Sequence, residues 1–143
     1  MLTGQMPPFP GLGYPLVPGY ETVGKVLESP AGSKLRPGTC VFAPGSVGFT
    51  DVKNLFGGSA RHIVCTEDRL IPLPDKLGSE GVLLALAATA LHALRRCEHI
   101  GPPELIVGHG VLGQLLVRLT RIIHGTTPTV WERDPTRRPA GLD

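Results

Sequence analysis

Apolar residues fall in short runs through the first half of the chain and in longer, helically spaced runs through the second. Leu16-Val17, Val23 to Val26 and Cys40-Val41-Phe42 are β-favouring runs, cut by Pro18-Gly19, Gly24 and Pro37-Gly38. Two further runs follow the Gly57-Gly58 turn, over residues 59–65 and 70–74. Short strands separated by turn residues predict a β-rich first region, of the kind that closes into a small barrel. Residues 82–94 are apolar at nearly every position. That predicts a helix opened by Ser79 as N-cap and buried between layers. Leu105-Ile106-Val107 reads as a short apolar strand. Val111, Leu115, Leu116, Leu119 and Ile122-Ile123 then recur at helical spacing, which predicts an amphipathic helix over residues 111–123. Residues 127–132 read as another strand. Strand, turn, helix and strand form a βαβ unit whose two strands should pair in parallel.

Composition sharpens this division. The chain of 143 residues carries 19 Gly and 15 Pro, most of them before position 80, so its first part is rich in turns. Met6-Pro7-Pro8-Phe9-Pro10 excludes a helix there and predicts an exposed or partner-packed loop. Net charge is +2 with 18% charged residues, too mild a balance to indicate nucleic-acid binding. The short basic cluster Arg133, Arg137 and Arg138 lacks interleaved aromatics and is expected to be a solvated, mobile loop. Cys40, Cys65 and Cys97 are widely spaced and form no CxxC pair, so neither a disulfide framework nor a structural zinc site is indicated. Scattered thiols fit a reducing compartment, and a cytoplasmic location is expected. No run of about eighteen apolar residues and no signal-peptide pattern is seen, so no membrane span is expected.

The chemistry concentrates between the two predicted strands of the βαβ unit. Gly108-His109-Gly110-Val111-Leu112-Gly113 has the spacing GxGxxG. In a dinucleotide site the first glycine permits the tight turn and the second lets a pyrophosphate approach the backbone. The third lets the helix pack close to the sheet, and the anion rests on the helix N-terminus. Such a motif alone is weak. Here an apolar strand precedes it, an amphipathic helix follows it, and Glu132 stands about twenty residues further on, the offset of a ribose-binding carboxylate. A carboxylate there accepts from ribose hydroxyls and repels a 2′-phosphate, so NAD is the expected cofactor, with Arg133 beside it. The plainer alternative is a strand–helix turn that binds nothing. His109 is expected to be a solvent-facing loop residue within the turn, not a catalyst.

Upstream, Pro18-Gly19-Tyr20-Glu21-Thr22-Val23-Gly24-Lys25-Val26 resembles the PGHExxGxV signature of the medium-chain (alcohol dehydrogenase-like) dehydrogenases. Pro37-Gly38-Thr39-Cys40-Val41, Gly57-Gly58-Ser59-Ala60 and Leu73-Pro74 resemble later family motifs in the same order. Longer runs resemble a narrower group, the zinc-free dehydrogenases that act on 3-(1-hydroxyethyl)bacteriochlorophyllide a in bacteriochlorophyll biosynthesis. These runs include Met6 to Gly11, Tyr14 to Glu21, Leu55 to Gly58, Leu83 to Ala90 and Leu105 to Gly113. The resemblance implies an α/β and β fold. Residues 1–78 would be a partial GroES-like β-barrel domain, and residues 79–143 a hinge helix with the first βαβ of a Rossmann fold. It implies oxidation of a bacteriochlorophyllide hydroxyethyl group to acetyl, with NAD taking the hydride.

Tyr20 stands where zinc-dependent members place a histidine, and Ala85 near where they place a cysteine or aspartate. A phenol and a methyl group cannot supply that ligand set, so no metal is expected. Tyr20, Glu21 and Thr89 are then the candidate catalytic residues, the alcohol being polarised by hydrogen bonding. Tyr20 could equally fill the space left by the metal, and Glu21 could pair with an arginine. His62 and His92 are expected to be structural. Phe49, Leu55 and Phe56 are the candidate apolar surface for a flat tetrapyrrole. Set against the family, the chain is expected to be truncated at both ends, and so to form homo-oligomers or pack against a partner. Two other readings stay open: a non-catalytic nucleotide- or tetrapyrrole-binding module, and a zinc-free quinone- or enoyl-type reductase.

Overall fold

The computed structural model describes Gln5, Pro10 and residues 13–137. Two compact units divide the chain, Met1–Ala85 and Leu86–Asp143.

The first unit holds five short strands: β1 (Leu16–Pro18), β2 (Thr22–Lys25), β3 (Cys40–Ala43), β4 (Lys53–Leu55) and β5 (Ile71–Pro72). β1 and β4 pair in parallel, Leu16 opposite Lys53. The other three form an antiparallel sheet in the order β2-β3-β5, with Thr22 opposite Ala43 and Phe42 opposite Ile71. β3 is the central strand, and all four of its residues are buried. Removing Val41 and Phe42 from water contributes roughly 1.5–3 kcal/mol each.

The predicted barrel is corrected by this arrangement. Among the described residues the strands form separate two- and three-stranded sheets, and no barrel closes. Residues 59–65 make no strand, because a side chain takes the ladder's place. Buried Ser46 donates through Oγ to the Val64 carbonyl at 3.1 Å and accepts from the Val64 N–H at 3.2 Å. Conversely, β4 was not expected from Lys53-Asn54-Leu55. Parallel pairing forms it, with the Lys53 N–H donating to the Pro15 carbonyl at 3.1 Å and Asn54 donating to the Ser46 carbonyl at 3.4 Å.

The predicted helix start at Ser79 is also corrected. A 3-10 run over Asp75–Leu83 comes first, with Pro74 as its N-cap and Gly78 breaking it at φ 49°, ψ −134°. Buried Gly81 packs this run against β2: a Cβ there would meet Leu73 at 2.6 Å and Val23 at 3.0 Å. α1 (Leu84–Arg96) follows and buries only Ala90 and Leu94, not the whole surface that its apolar sequence predicts. By length and composition Asp75–Arg96 is apolar enough to cross a membrane, with mean hydropathy 1.5. Its α-helical part has 13 residues. At 1.5 Å per residue that is about 20 Å, against roughly 30 Å of hydrocarbon.

The second unit contains the expected βαβ. β6 (Leu105–Val107), α2 (Val111–His124) and β7 (Thr129–Trp131) follow in order. β6 and β7 pair in parallel, Leu105 opposite Thr129 and Val107 opposite Trp131. Ile106 and Val117 are buried, and fully buried Thr120 donates to the Leu116 carbonyl at 2.8 Å. Gly125 ends the helix in the left-handed region, at φ 70°, its N–H donating to the Arg121 carbonyl. Leu105, Val107 and Trp131 alternate out of the sheet and are exposed.

Candidate nucleotide-binding site

Each of the three glycines at the β6–α2 turn has a different structural reason. Gly108 turns the chain at φ 93°, outside the range other residues favour. Its N–H donates to the Trp131 carbonyl at 2.7 Å, which continues the strand pairing into the turn. Gly113 lies under the turn: a Cβ there would stand 2.1 Å from the Gly108 carbonyl oxygen. Gly110, the N-cap, has ordinary dihedrals of φ −70°, ψ −172°. A Cβ on Gly110 would meet nothing nearer than an Arg137 guanidinium nitrogen at 4.0 Å. Backbone strain and packing therefore explain Gly108 and Gly113, while the space beside Gly110 is open. No side chain caps α2. The N–H groups of its first turn have no partner within the helix. Val111 and Leu112, its first two residues, are exposed.

Glu132 follows β7 directly and reaches back to this turn. One carboxylate oxygen accepts from the His109 N–H at 2.7 Å, the other from the Asp134 N–H at 2.8 Å. These bonds hold its carboxyl below the usual range, that of Asp134 most strongly, with Arg137's charge adding to them. An ionised carboxylate has about four acceptor sites, so capacity remains for a diol. Arg133 beside it is exposed.

His109 departs from its expected position. It is 6% exposed, not solvent-facing. Its ring Nδ1 lies 2.5 Å from the Arg137 carbonyl, and its own carbonyl accepts from Gln114 at 3.3 Å. The segment after β7 is thus folded back onto the glycine turn. Pro135–Arg137 forms a 3-10 turn, and Asp134 pairs with the Arg137 side chain at 3.4 Å. The basic loop expected to be free is tied down as far as Arg137, while Arg138 lies outside the described residues. Asp134 leaves no signal in the sequence and Arg137 reads there only as part of a solvated basic cluster, because their proximity to Gly110 depends on the reversal after β7.

Tyr20, Glu21, Leu55 and Phe56 come together in the first unit. They line a shallow cavity of about 270 Å³ with Gly19 and Ser59. Tyr20 and Phe56 meet edge to face, centroids 5.1 Å apart at 68°, and are 46% and 52% exposed. Phe56 holds a left-handed backbone at φ 72°, which is uncommon for a bulky residue. The Ser46 N–H donates to its carbonyl at 2.7 Å and fixes it. Phe49 does not join them. Its ring lies against Gly57, where a Cβ would come within 2.9 Å of it. Thr89 is exposed on α1, in the second unit. His62 and His92 are exposed as well. Among the described residues no group of three or more His, Cys, Asp or Glu side chains is placed to hold a metal ion.

No family model and no solved structure matches the chain. It is 52% identical, over 97% of its length, to the 2-desacetyl-2-hydroxyethyl bacteriochlorophyllide A dehydrogenase of Rhodobacter capsulatus. It is likewise 52% identical to that of Cereibacter sphaeroides, over 95% of its length. Cinnamyl alcohol dehydrogenase 7 of Arabidopsis thaliana is 29% identical over 87% of the chain. The chain spans 44% of the length of each of the two bacterial proteins and 43% of the plant one. By sequence, then, the chain is a relative of the 2-desacetyl-2-hydroxyethyl bacteriochlorophyllide A dehydrogenases over less than half of their length, with a more distant likeness to alcohol dehydrogenases.

Proposed function

We propose that the chain carries part of a dehydrogenase that oxidises the hydroxyethyl group of a bacteriochlorophyllide to acetyl, using NAD. The observation that carries the nucleotide half is the open space beside Gly110, next to a helix N-terminus that no side chain caps. A turn shaped only by packing would account for Gly108 and Gly113 but not for a glycine with ordinary dihedrals and free space. In this reading residues 1–78 are part of a GroES-like substrate domain, and residues 79–143 are the hinge helix and first βαβ of a Rossmann domain.

NAD, when bound, supplies the hydride acceptor. The backbone of residues 108–113 would hold its pyrophosphate, and Glu132 with Arg133 its adenosine ribose. Glu132, kept ionised, accepts hydroxyl protons and opposes a 2′-phosphate, which favours NAD over NADP and disfavours a quinone-type reductase. Oxidation would pass a hydride from the alcohol carbon to NAD and release the hydroxyl proton to solvent. Tyr20 can donate a hydrogen bond to that oxygen, with Glu21 orienting it and Thr89 serving beside the nicotinamide. The lining of Tyr20, Leu55 and Phe56 suits the substituent arm of a flat pigment, since about 270 Å³ falls below the roughly 300–1,000 Å³ usual for a whole small ligand. Phe49 belongs to this surface only as support beneath Gly57. The phenol and methyl at Tyr20 and Ala85 support alcohol oxidation without zinc.

Mixing the chain with NAD and 3-hydroxyethyl bacteriochlorophyllide a tests the whole reading: a shift of the pigment's long-wavelength band should accompany NADH formation. Binding of NAD without turnover would favour a nucleotide-binding module instead. NAD affinity unchanged by Gly110→Ser would sink the nucleotide claim.

A further inference from the structure

The first variable position of the glycine turn carries a buried imidazole, which has no part in the proposed chemistry. A carbonyl oxygen only accepts, so the bond between His109 and the Arg137 carbonyl requires the proton on Nδ1. That bond joins residues 28 positions apart. It closes a ring of contacts. The His109 N–H holds one oxygen of Glu132, the Asp134 N–H holds the other, and Asp134 caps the turn that ends at Arg137 through the Thr136 N–H at 2.9 Å. The chain after β7 would otherwise be a polar surface segment with little to bury. Among the described residues its other ties to the turn are the bonds to Glu132, and the exposed Asp134–Arg137 ion pair lies within the segment and contributes little. Among the described residues, the imidazole is the one buried side chain that fastens this segment to the glycine turn.

We infer that His109 is a positioning residue for nucleotide recognition: its Nδ1–H clasps the Arg137 carbonyl, and so holds the Glu132 carboxylate in the one orientation that faces a ribose diol beside the turn. His109 touches no ligand in this scheme and acts through the segment 132–137. The inference rests on the nucleotide reading above and deepens it. A side chain that merely filled space would support the fold without affecting which sugar the site prefers.

The test uses the full 143-residue chain and two probes, ADP-ribose and its analogue lacking the adenosine 2′-hydroxyl, with affinities measured by calorimetry. His109→Leu keeps bulk and burial but removes the Nδ1 donor. It should weaken ADP-ribose binding by on the order of fivefold to tenfold, the scale of one net hydrogen bond, and erase the preference for the ribose over its deoxy analogue. His109→Asn, whose amide nitrogen stands near the place of Nδ1, should restore that preference even if its stability falls. Amide exchange at Asp134 should quicken in the Leu variant and slow again in the Asn variant. The inference is overturned if His109→Leu leaves the ribose preference intact, if it weakens both probes equally, or if His109→Asn restores nothing. Failure of the unaltered chain to bind ADP-ribose at all would instead overturn the nucleotide reading, and this inference with it.

Discussion

Substituting alanine at Gly113 should separate the packing glycine from the ligand glycine. The Cβ of an alanine there would stand 2.1 Å from the Gly108 carbonyl oxygen, and real Cβ atoms essentially never come within 3.0 Å of such a neighbour. The obstacle is backbone at the end of β6, so it cannot swing aside as a side chain would. Either α2 lifts from β6 by about an ångström or the turn deforms, and overpacking of this kind costs about 1–3 kcal/mol. Alanine recovers up to about 1 kcal/mol over glycine from helix propensity. The expected net is a loss of about 1–2 kcal/mol. With a urea dependence of about 1–3 kcal/mol per molar, the unfolding midpoint should fall by roughly 0.3–2 M. Helix circular dichroism measures that directly. Gly110→Ser is the control: serine is a good N-cap, its Cβ meets open space, and the midpoint should hold or rise. NAD affinity should drop in Gly110→Ser all the same. If Gly113→Ala unfolds at the parent's midpoint, or Gly110→Ser falls as far, the division of labour between these glycines is wrong.

Three further outcomes follow from the contacts. Glu132 is held below its usual carboxylate range by backbone N–H groups, so its contribution is fully present above the unfolded value near 4.3 and is lost as pH falls through the lower folded value. Amide exchange at Asp134 should therefore quicken at acid pH in the parent and stay insensitive to pH, beyond the intrinsic rate, in Glu132→Gln. Ser46→Ala removes an oxygen that accepts from the Gly48 and Val64 N–H groups and donates to the Val64 carbonyl. Losing these part-buried bonds, with the Val64 carbonyl keeping the Val47 N–H, should destabilise the first unit by about 0.5–1.5 kcal/mol, read as a lower melting temperature, whereas an unchanged melting curve would refute the account of residues 59–65. Val107, 76% exposed beside Trp131 on a parallel sheet face, should drive self-association, because parallel sheets are normally covered on both faces. Light scattering should report a larger species that Val107→Asp dissociates, and a monomeric parent at micromolar concentration would refute this.

What the sequence determined by itself is concentrated in the second unit. The spacing from Leu105 to Trp131 specified strand, turn, helix and parallel strand, and the helix stopped within a residue of its expected end. Those signals are local, since helical periodicity, a glycine turn and a left-handed glycine cap each act within a few residues. The place of Glu132 beside the glycine turn was legible because a fixed offset from the glycines reflects a fixed βαβ geometry. The tertiary structure decided the rest. Whether residues 59–65 would be a strand depended on Ser46, 18 positions from Val64. Whether Lys53-Asn54-Leu55 would be one depended on β1. The burial of α1 could not be read from its apolar composition, because burial requires a second surface and composition names none. His109 was read as a surface residue because nothing in its neighbours shows that Arg137 returns to meet it. Local pattern sets which backbone conformations are cheap, but the partners of polar side chains are chosen by contacts between distant segments, and those exist only once the chain has folded.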